Sequence, residues 1–325
     1  MVPFALGSDG GGSIRLPSAF CGLFGLKPQR GRISLAPMAD HWHGMTALGW
    51  LTRTVRDAAI VYDATIGSTD LDADRPPPPE QSFTVAAESE PGRLRIAWSV
   101  ELPLPAKLMT RVDPRVAAAV TGTAELLARL GHDVAQRTPD YPQLLPLAAS
   151  ARILAGVAED VASLARPEGL ERRFRQIGRI STLFRGPAVA RARAAEPALT
   201  ARLAAIFDDV DVFMCPVAPS VPFETGRWDG RSWPRVLLGN TPLIAFTSPW
   251  NFTGQPAAAV PAGFADDGLP LAVQLISRPN QEQTLIALAA QLEAARPWAQ
   301  QTPTAERLRP LPDEHLARVR QVDRL

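Results

Sequence analysis

A chain of 325 residues with 34 basic and 33 acidic side chains is close to neutral, so composition gives no reason to expect nucleic acid or an anionic membrane as partner. The first residues lack the basic region and apolar core of a signal peptide. No apolar run approaches the roughly 20 residues that span a bilayer, so cytoplasm is the expected compartment. Cys21 and Cys215 form neither a disulfide framework nor a metal pattern.

Val2 to Leu6 is a small apolar run that reads as a buried strand. A glycine-dense turn follows, with Gly10, Gly11 and Gly12 in a row and Ser13 at its end. Glycines without Cβ can turn their N–H groups toward one point, and convergent donors bind an oxyanion. Asp9 and Arg15 are the nearest charged residues, placed to pair and hold the loop. Pro17 suits the first turn of a short helix. A hydroxyl beside such donors suggests a nucleophile next to an oxyanion hole, the arrangement acyl transfer needs. A phosphate loop fits poorly, because Gly12 is followed by Ser13 and Ile14 instead of Lys and Ser or Thr.

Leu35 to Gly49 reads as a loop. Its His41-Trp42-His43 would need a third ligand to hold a metal, and a pocket wall or exposed loop is the preferred reading. Val55 to Ile66 has apolar residues at helical spacing. Asp70 to Pro91 is polar and proline-rich and predicts an exposed, extended loop. Arg93 to Ser99 reads as a strand. Asp113 and Pro114 cap and open a helix that runs to Leu130 and stops at Gly131. Its buried stripe is Val116, Val120, Leu127 and Leu130. A strand begins near His132, giving a strand–helix–strand unit. Pro142 to Phe207 is largely helical, broken near Pro167 and Pro187. Strands are expected at 210–216, 257–261 and 271–277, and a helix at 282–293. The pattern predicts an α/β fold: a mixed, largely parallel sheet containing Val2 to Leu6, Ala257 to Pro261 and Leu271 to Ser277, with helices on both faces.

The stretch from Gly7 to Ser34 closely resembles the signature of the amidase signature family of serine hydrolases. The match is carried by Gly7, Asp9, Gly11, Gly12, Ser13, Ile14, Arg15 and Pro17. It continues through Phe20, Cys21 and Gly22, then Gly25, Leu26, Lys27 and Pro28, then Gly31, Arg32, Ile33 and Ser34. Gly49, Leu51, Arg53, Thr54, Val55 and Asp57 follow a second family run. Thr253, Gly254, Pro256, Ala257, Pro261, Gly263 and Phe264 form a third, and Asp267 to Pro270 with Gln274, Leu275 and Ile276 a fourth.

The resemblance implies a single amidase domain over 1–297, a variable, substrate-shaping helical region at about 142–207, and a charged tail at 298–325. It implies Ser13 as acyl-forming nucleophile, with an oxyanion hole from the backbone N–H groups of Gly10, Gly11, Gly12 and Ser13. It implies hydrolysis of a small-molecule amide, with no cofactor and no metal. In the family a lysine and a bridging serine upstream of the signature activate the nucleophile. Met1 stands only twelve residues before Ser13, so the chain reads as a C-terminal portion that lacks both. Inactivity alone is therefore expected. A non-catalytic remnant is the alternative, and a separate N-terminal segment or a second copy is the candidate partner. The only lysines are Lys27 and Lys107. The resemblance gives Lys27 a structural place, and Lys107 lies in no motif.

Overall fold

The structure is a computed structural model, and it describes residues 2–301. The strands are β1 (Phe4–Asp9), β2 (Phe24–Lys27), β3 (Ala47–Thr52), β4 (Arg95–Trp98), β5 (Asp133–Gln136), β6 (Val212–Pro216), β7 (Ala257–Phe264) and β8 (Pro270–Ser277). They form one sheet in the order β1-β3-β2-β7-β8-β6-β4-β5. The helices are α1 (Arg15–Cys21), α2 (Val55–Thr65), α3 (Phe83–Ala87), α4 (Ala106–Met109), α5 (Pro114–Arg129) and α6 (Leu145–Ser163). They continue with α7 (Arg172–Ser181), α8 (Pro187–Ala204), α9 (Trp233–Asn240), α10 (Ser248–Phe252) and α11 (Glu282–Ala295).

Side-chain alternation along the central strands sorts the core into two layers. On one face Val212, Met214, Ala258, Val260, Val273 and Leu275 pack under α2, α3, α5 and α11. On the other, Phe213, Cys215, Ala257 and Ile276 meet residues of α6, α8 and α10. The expected mixed α/β sheet with helices on both faces is therefore present. Asp113 caps α5 by accepting from the Arg115 N–H, with Pro114 in the first turn as expected. Within the signature, Arg32 reaches the first turn of α11, its Nε 2.9 Å from Glu282 Oε1.

Three expectations are corrected. The sheet is not largely parallel. Among the described residues only β4 pairs in parallel, with β5 and β6, and the other five strand pairings are antiparallel. The strand–helix–strand unit β4-α5-β5 gives the parallel part. β7 and β8 instead meet through a short turn, which forces the antiparallel sense. The opening strand is not buried. Among the described residues β1 is the sheet's edge, paired only with β3, and Val2, Phe4 and Leu6 are 72%, 44% and 55% exposed. The segment 70–91 is not all loop, because Ser82 caps the single-turn α3 and buries Phe83.

β2 and β3 were not expected at all. Both are short and carry a glycine where another backbone or side chain presses close. A Cβ on Gly25 would lie 2.0 Å from Ser18 Oγ, and one on Gly49 would lie 2.4 Å from the Leu26 carbonyl oxygen. The predicted tail at 298–325 falls mostly outside the described residues. Its first residue, Trp298, is buried and donates from Nε1 to the Arg53 carbonyl at 2.9 Å.

Candidate active site

Asp9 is the last residue of β1, and the glycine turn carries the chain from there into α1. Ile14 precedes α1 without a side-chain cap, so the first N–H groups of the helix need acceptors elsewhere. Asp9 supplies them. Its carboxylate accepts from Gly12 N at 2.6 Å, Ile14 N at 3.2 Å and Arg15 N at 3.4 Å. Arg15 then closes on Asp9 with two donors, Nε at 3.0 Å and Nη2 at 2.9 Å. Such forked pairing fixes direction as well as charge.

The remaining guanidinium protons go to distant residues. Arg15 Nη1 donates to Gln274 Oε1 at 2.6 Å and to the Thr247 carbonyl at 3.0 Å. Nη2 donates to Asn251 Oδ1 at 2.5 Å. Asn251 Nδ2 donates back to the Asp9 carbonyl at 2.6 Å, and the Thr247 hydroxyl to the Gly11 carbonyl at 2.5 Å. Burial alone would raise the Asp9 pKa. The Arg15 charge and the hydrogen bonds from Arg15 and Asn251 outweigh it and hold the carboxyl well below its usual range. Asp9 is thus a fixed anion under the turn.

The pairing of Asp9 with Arg15 was expected. Thr247, Asn251 and Gln274 were not assigned to the site. Gln274 had a signal, as a lone polar residue in the apolar run of β8, and a buried polar side chain implies a partner.

The three glycines serve different ends. Gly12 has φ +134°, and a Cβ there would lie 2.5 Å from Thr247 Oγ1. A Cβ on Gly10 would lie 2.6 Å from the Trp42 ring. One on Gly11 would meet only Ile153 and Ile244, each at 3.8 Å. The Gly12 N–H is already given to Asp9. Among the described residues, the N–H groups of Gly10, Gly11 and Ser13 have no acceptor. Of the four expected donors, Gly12 is therefore already engaged by Asp9.

Ser13 is exposed, and among the described residues its hydroxyl makes no hydrogen bond. Lys27 donates instead to the carbonyls of Pro28 at 3.0 Å and Gln255 at 2.6 Å. Its pKa is pushed down to about 7, first by burial and then by the Arg15 charge. Lys107 lies exposed on α4. An apolar pocket opens between α4, α6 and α10, lined in part by Pro105, Tyr141, Leu145 and Ile244. Ile244 is also a neighbour of Gly11. His41 and His43 face α6, where His41 Nε2 lies 2.9 Å from Asp160 and His43 Nε2 lies 3.2 Å from Glu159. Among the described residues no helix is long and apolar enough to cross a membrane.

The amidase family model matches residues 1–286. AmiB2 of Mycobacterium tuberculosis is 46% identical over 304 residues, covering 94% of this chain and 64% of its own length. The 6-aminohexanoate-cyclic-dimer hydrolase of Paenarthrobacter ureafaciens is 30% identical, covering 93% of this chain and 65% of its own. A solved structure of a 6-aminohexanoate cyclic dimer hydrolase superimposes with a TM-score of 0.84 at 28% identity, over 93% of this chain and 66% of the other. A bacterial aryl acylamidase described as an amidase signature enzyme gives 0.77 at 25% identity, over 95% and 65%. This chain thus spans just under two thirds of the length of these relatives. The matched family model, the shared fold and the turn locked by Asp9 and Arg15 agree, and the chain belongs to the amidase family.

Proposed function

We propose that this chain carries the nucleophile and oxyanion site for hydrolysis of a carbon–nitrogen bond in a small neutral amide. The observation that carries the reading is the exposed Ser13 hydroxyl beside the N–H groups of Gly10, Gly11 and Ser13, which have no acceptor among the described residues. Ser13 Oγ attacks the amide carbon, and the carbonyl oxygen gains charge where those donors point. Preorganised donors of this kind stabilise the tetrahedral intermediate and need no reorganisation during the step. The C–N bond then breaks as the leaving nitrogen takes up the proton that the Ser13 hydroxyl gives up. Water attacks the Ser13 ester to release the carboxylic acid. The apolar pocket around Ile244 favours an uncharged acyl or amine group.

A serine hydroxyl needs a base to act at neutral pH. Lys27 is committed to two backbone carbonyls, and Lys107 is exposed with no bond to Ser13. The chain alone is therefore proposed to turn over slowly, since general-base assistance contributes about 10²–10⁴-fold. The same gap favours a second reading, a family member that binds an amide without hydrolysing it. Ammonia or amine release from a panel of small aliphatic and aryl amides separates the two. Hydrolysis that Ser13→Ala abolishes supports the enzyme. Release unaffected by that change removes Ser13 as nucleophile, and saturable amide binding with no release supports the second reading.

A further inference from the structure

The Trp42 indole fills the gap between the glycine turn and α6, and both sides are shaped to receive it. A Cβ on Gly10 would lie 2.6 Å from its Cε3, and a Cβ on Gly156 of α6 would lie 2.2 Å from its Cδ1. No side chain stands at either position without displacing the ring. Trp42 Nε1 donates to Asp160 Oδ2 at 2.7 Å, one turn beyond Gly156 on the same helix. The other Asp160 oxygen lies 2.9 Å from His41 Nε2, and His41 stacks on Trp42 with ring centroids 5.5 Å apart. His41 Nδ1 lies 3.0 Å from Thr46 Oγ1, and that hydroxyl also borders Gly10.

The backbone accepts an unfavourable conformation to place this ring. Trp42 and His43 are consecutive non-glycine residues at φ 51° and 56°, a region that L-residues avoid. Simple filling of an apolar gap needs no such turn, no glycine on either side and no carboxylate at the far end. Strain of this sort, held by surrounding contacts, is found where geometry matters for a site.

We infer that Trp42 is a positioning residue that sets the Gly10 peptide, and through it the direction of the Gly10 and Gly11 N–H groups. The Asp160 carboxylate holds the indole, so α6 governs the shape of the donor set. The inference rests on the turn being an oxyanion site. It adds that the acceptor is an oxygen anion, such as the carboxylate of the acid product, whose affinity depends on a side chain that does not touch it.

The test uses benzoate as the anion and the amide resonances of Gly10 and Gly11 in the 325-residue chain as the readout, with thermal unfolding measured in parallel. Both resonances should move and saturate with benzoate. Trp42→Ala should weaken binding about 10- to 100-fold, and Trp42→Phe, which keeps a ring, should recover much of the loss. Asp160→Ala removes the partner of Nε1 at a half-exposed site, and it carries the test if Trp42→Ala does not fold. Its binding should weaken several-fold with unfolding temperature little changed. Benzoate that leaves Gly10 and Gly11 unmoved overturns the inference, as does parental affinity in both Trp42→Ala and Asp160→Ala. Benzoate bound at these N–H groups in a chain that hydrolyses no amide removes the hydrolase reading and leaves this one standing.

Discussion

Asp9 and Arg15 meet at 2.9 Å with neither side chain exposed to solvent, and the same carboxylate takes the N–H of Gly12. One ion pair therefore holds both ends of the glycine turn. It also decides which N–H groups stay free, because the one at Gly12 is consumed by the support beneath the site.

Arg15→Met should destabilise the fold by about 3–5 kcal/mol, because it strands a buried carboxylate without its counter-charge. Urea unfolding at neutral pH is the measurement. A loss under about 1 kcal/mol would show that the pair is not an essential support.

The depressed pKa of Asp9 ties stability to acid. Its folded pKa lies below its unfolded value of 3.8, so its contribution is full above pH 3.8 and declines as pH falls toward the folded pKa. Stability measured from pH 5 downward should fall in the parent. The decline should be shallower in Asp9→Asn, whose overall stability is lower, and parallel curves would contradict the assignment.

Lys27 gives a slope of the same sign in a different window. Its folded pKa is about 7 against 10.5 unfolded, so between those values the unfolded chain binds the extra proton and stability rises with pH. Below about pH 7 the lysine is charged in both states and the full burial penalty applies. Lys27→Met should remove the rise between pH 7 and 10, read from unfolding midpoints across that range. An unchanged slope would mean that the titrating group lies elsewhere.

Gly12→Ala and Gly11→Ala should separate sharply. At Gly12 the φ of +134° and the 2.5 Å approach to Thr247 Oγ1 oppose any Cβ, at a cost of about 1–3 kcal/mol. At Gly11 the nearest atoms are 3.8 Å away, so Ala should keep the parental unfolding temperature within a few degrees. Equal losses at the two positions would show that the turn relaxes as a unit.

Among the described residues, β1 leaves a row of backbone groups unpaired at the sheet edge, with Phe4 and Leu6 exposed beside it. Edges of this kind pair with other chains. Leu6→Lys should reduce concentration-dependent association, followed by light scattering over a dilution series. Identical scattering would place the sticky surface elsewhere.

Local signals carried much of the architecture. The cap at Asp113, the break at Gly131 and the apolar runs of β6, β7 and β8 all lie where the sequence places them. β2 and β3 escaped because each is brief and marked by a glycine whose meaning is a tertiary approach, by Ser18 to Gly25 and by the Leu26 carbonyl to Gly49. The site divided in the same way. Asp9 and Arg15 are near neighbours, so their pairing was legible. Thr247, Asn251 and Gln274 meet Arg15 across 232 to 259 residues, and no periodicity reports a contact at that range.

That separation sets an order on assembly. Ser13 is made well before the side chains that orient its turn, which follow Arg15 by 232 to 259 residues. Closing so long a span is entropically costly and slow compared with local helix formation. On the ribosome the glycine turn waits, and a chain halted before Asn251 and Gln274 would hold Ser13 in an unsupported turn. The geometry at Ser13 therefore forms only after nearly the whole sheet has been translated, so a partly made chain does not display a finished site.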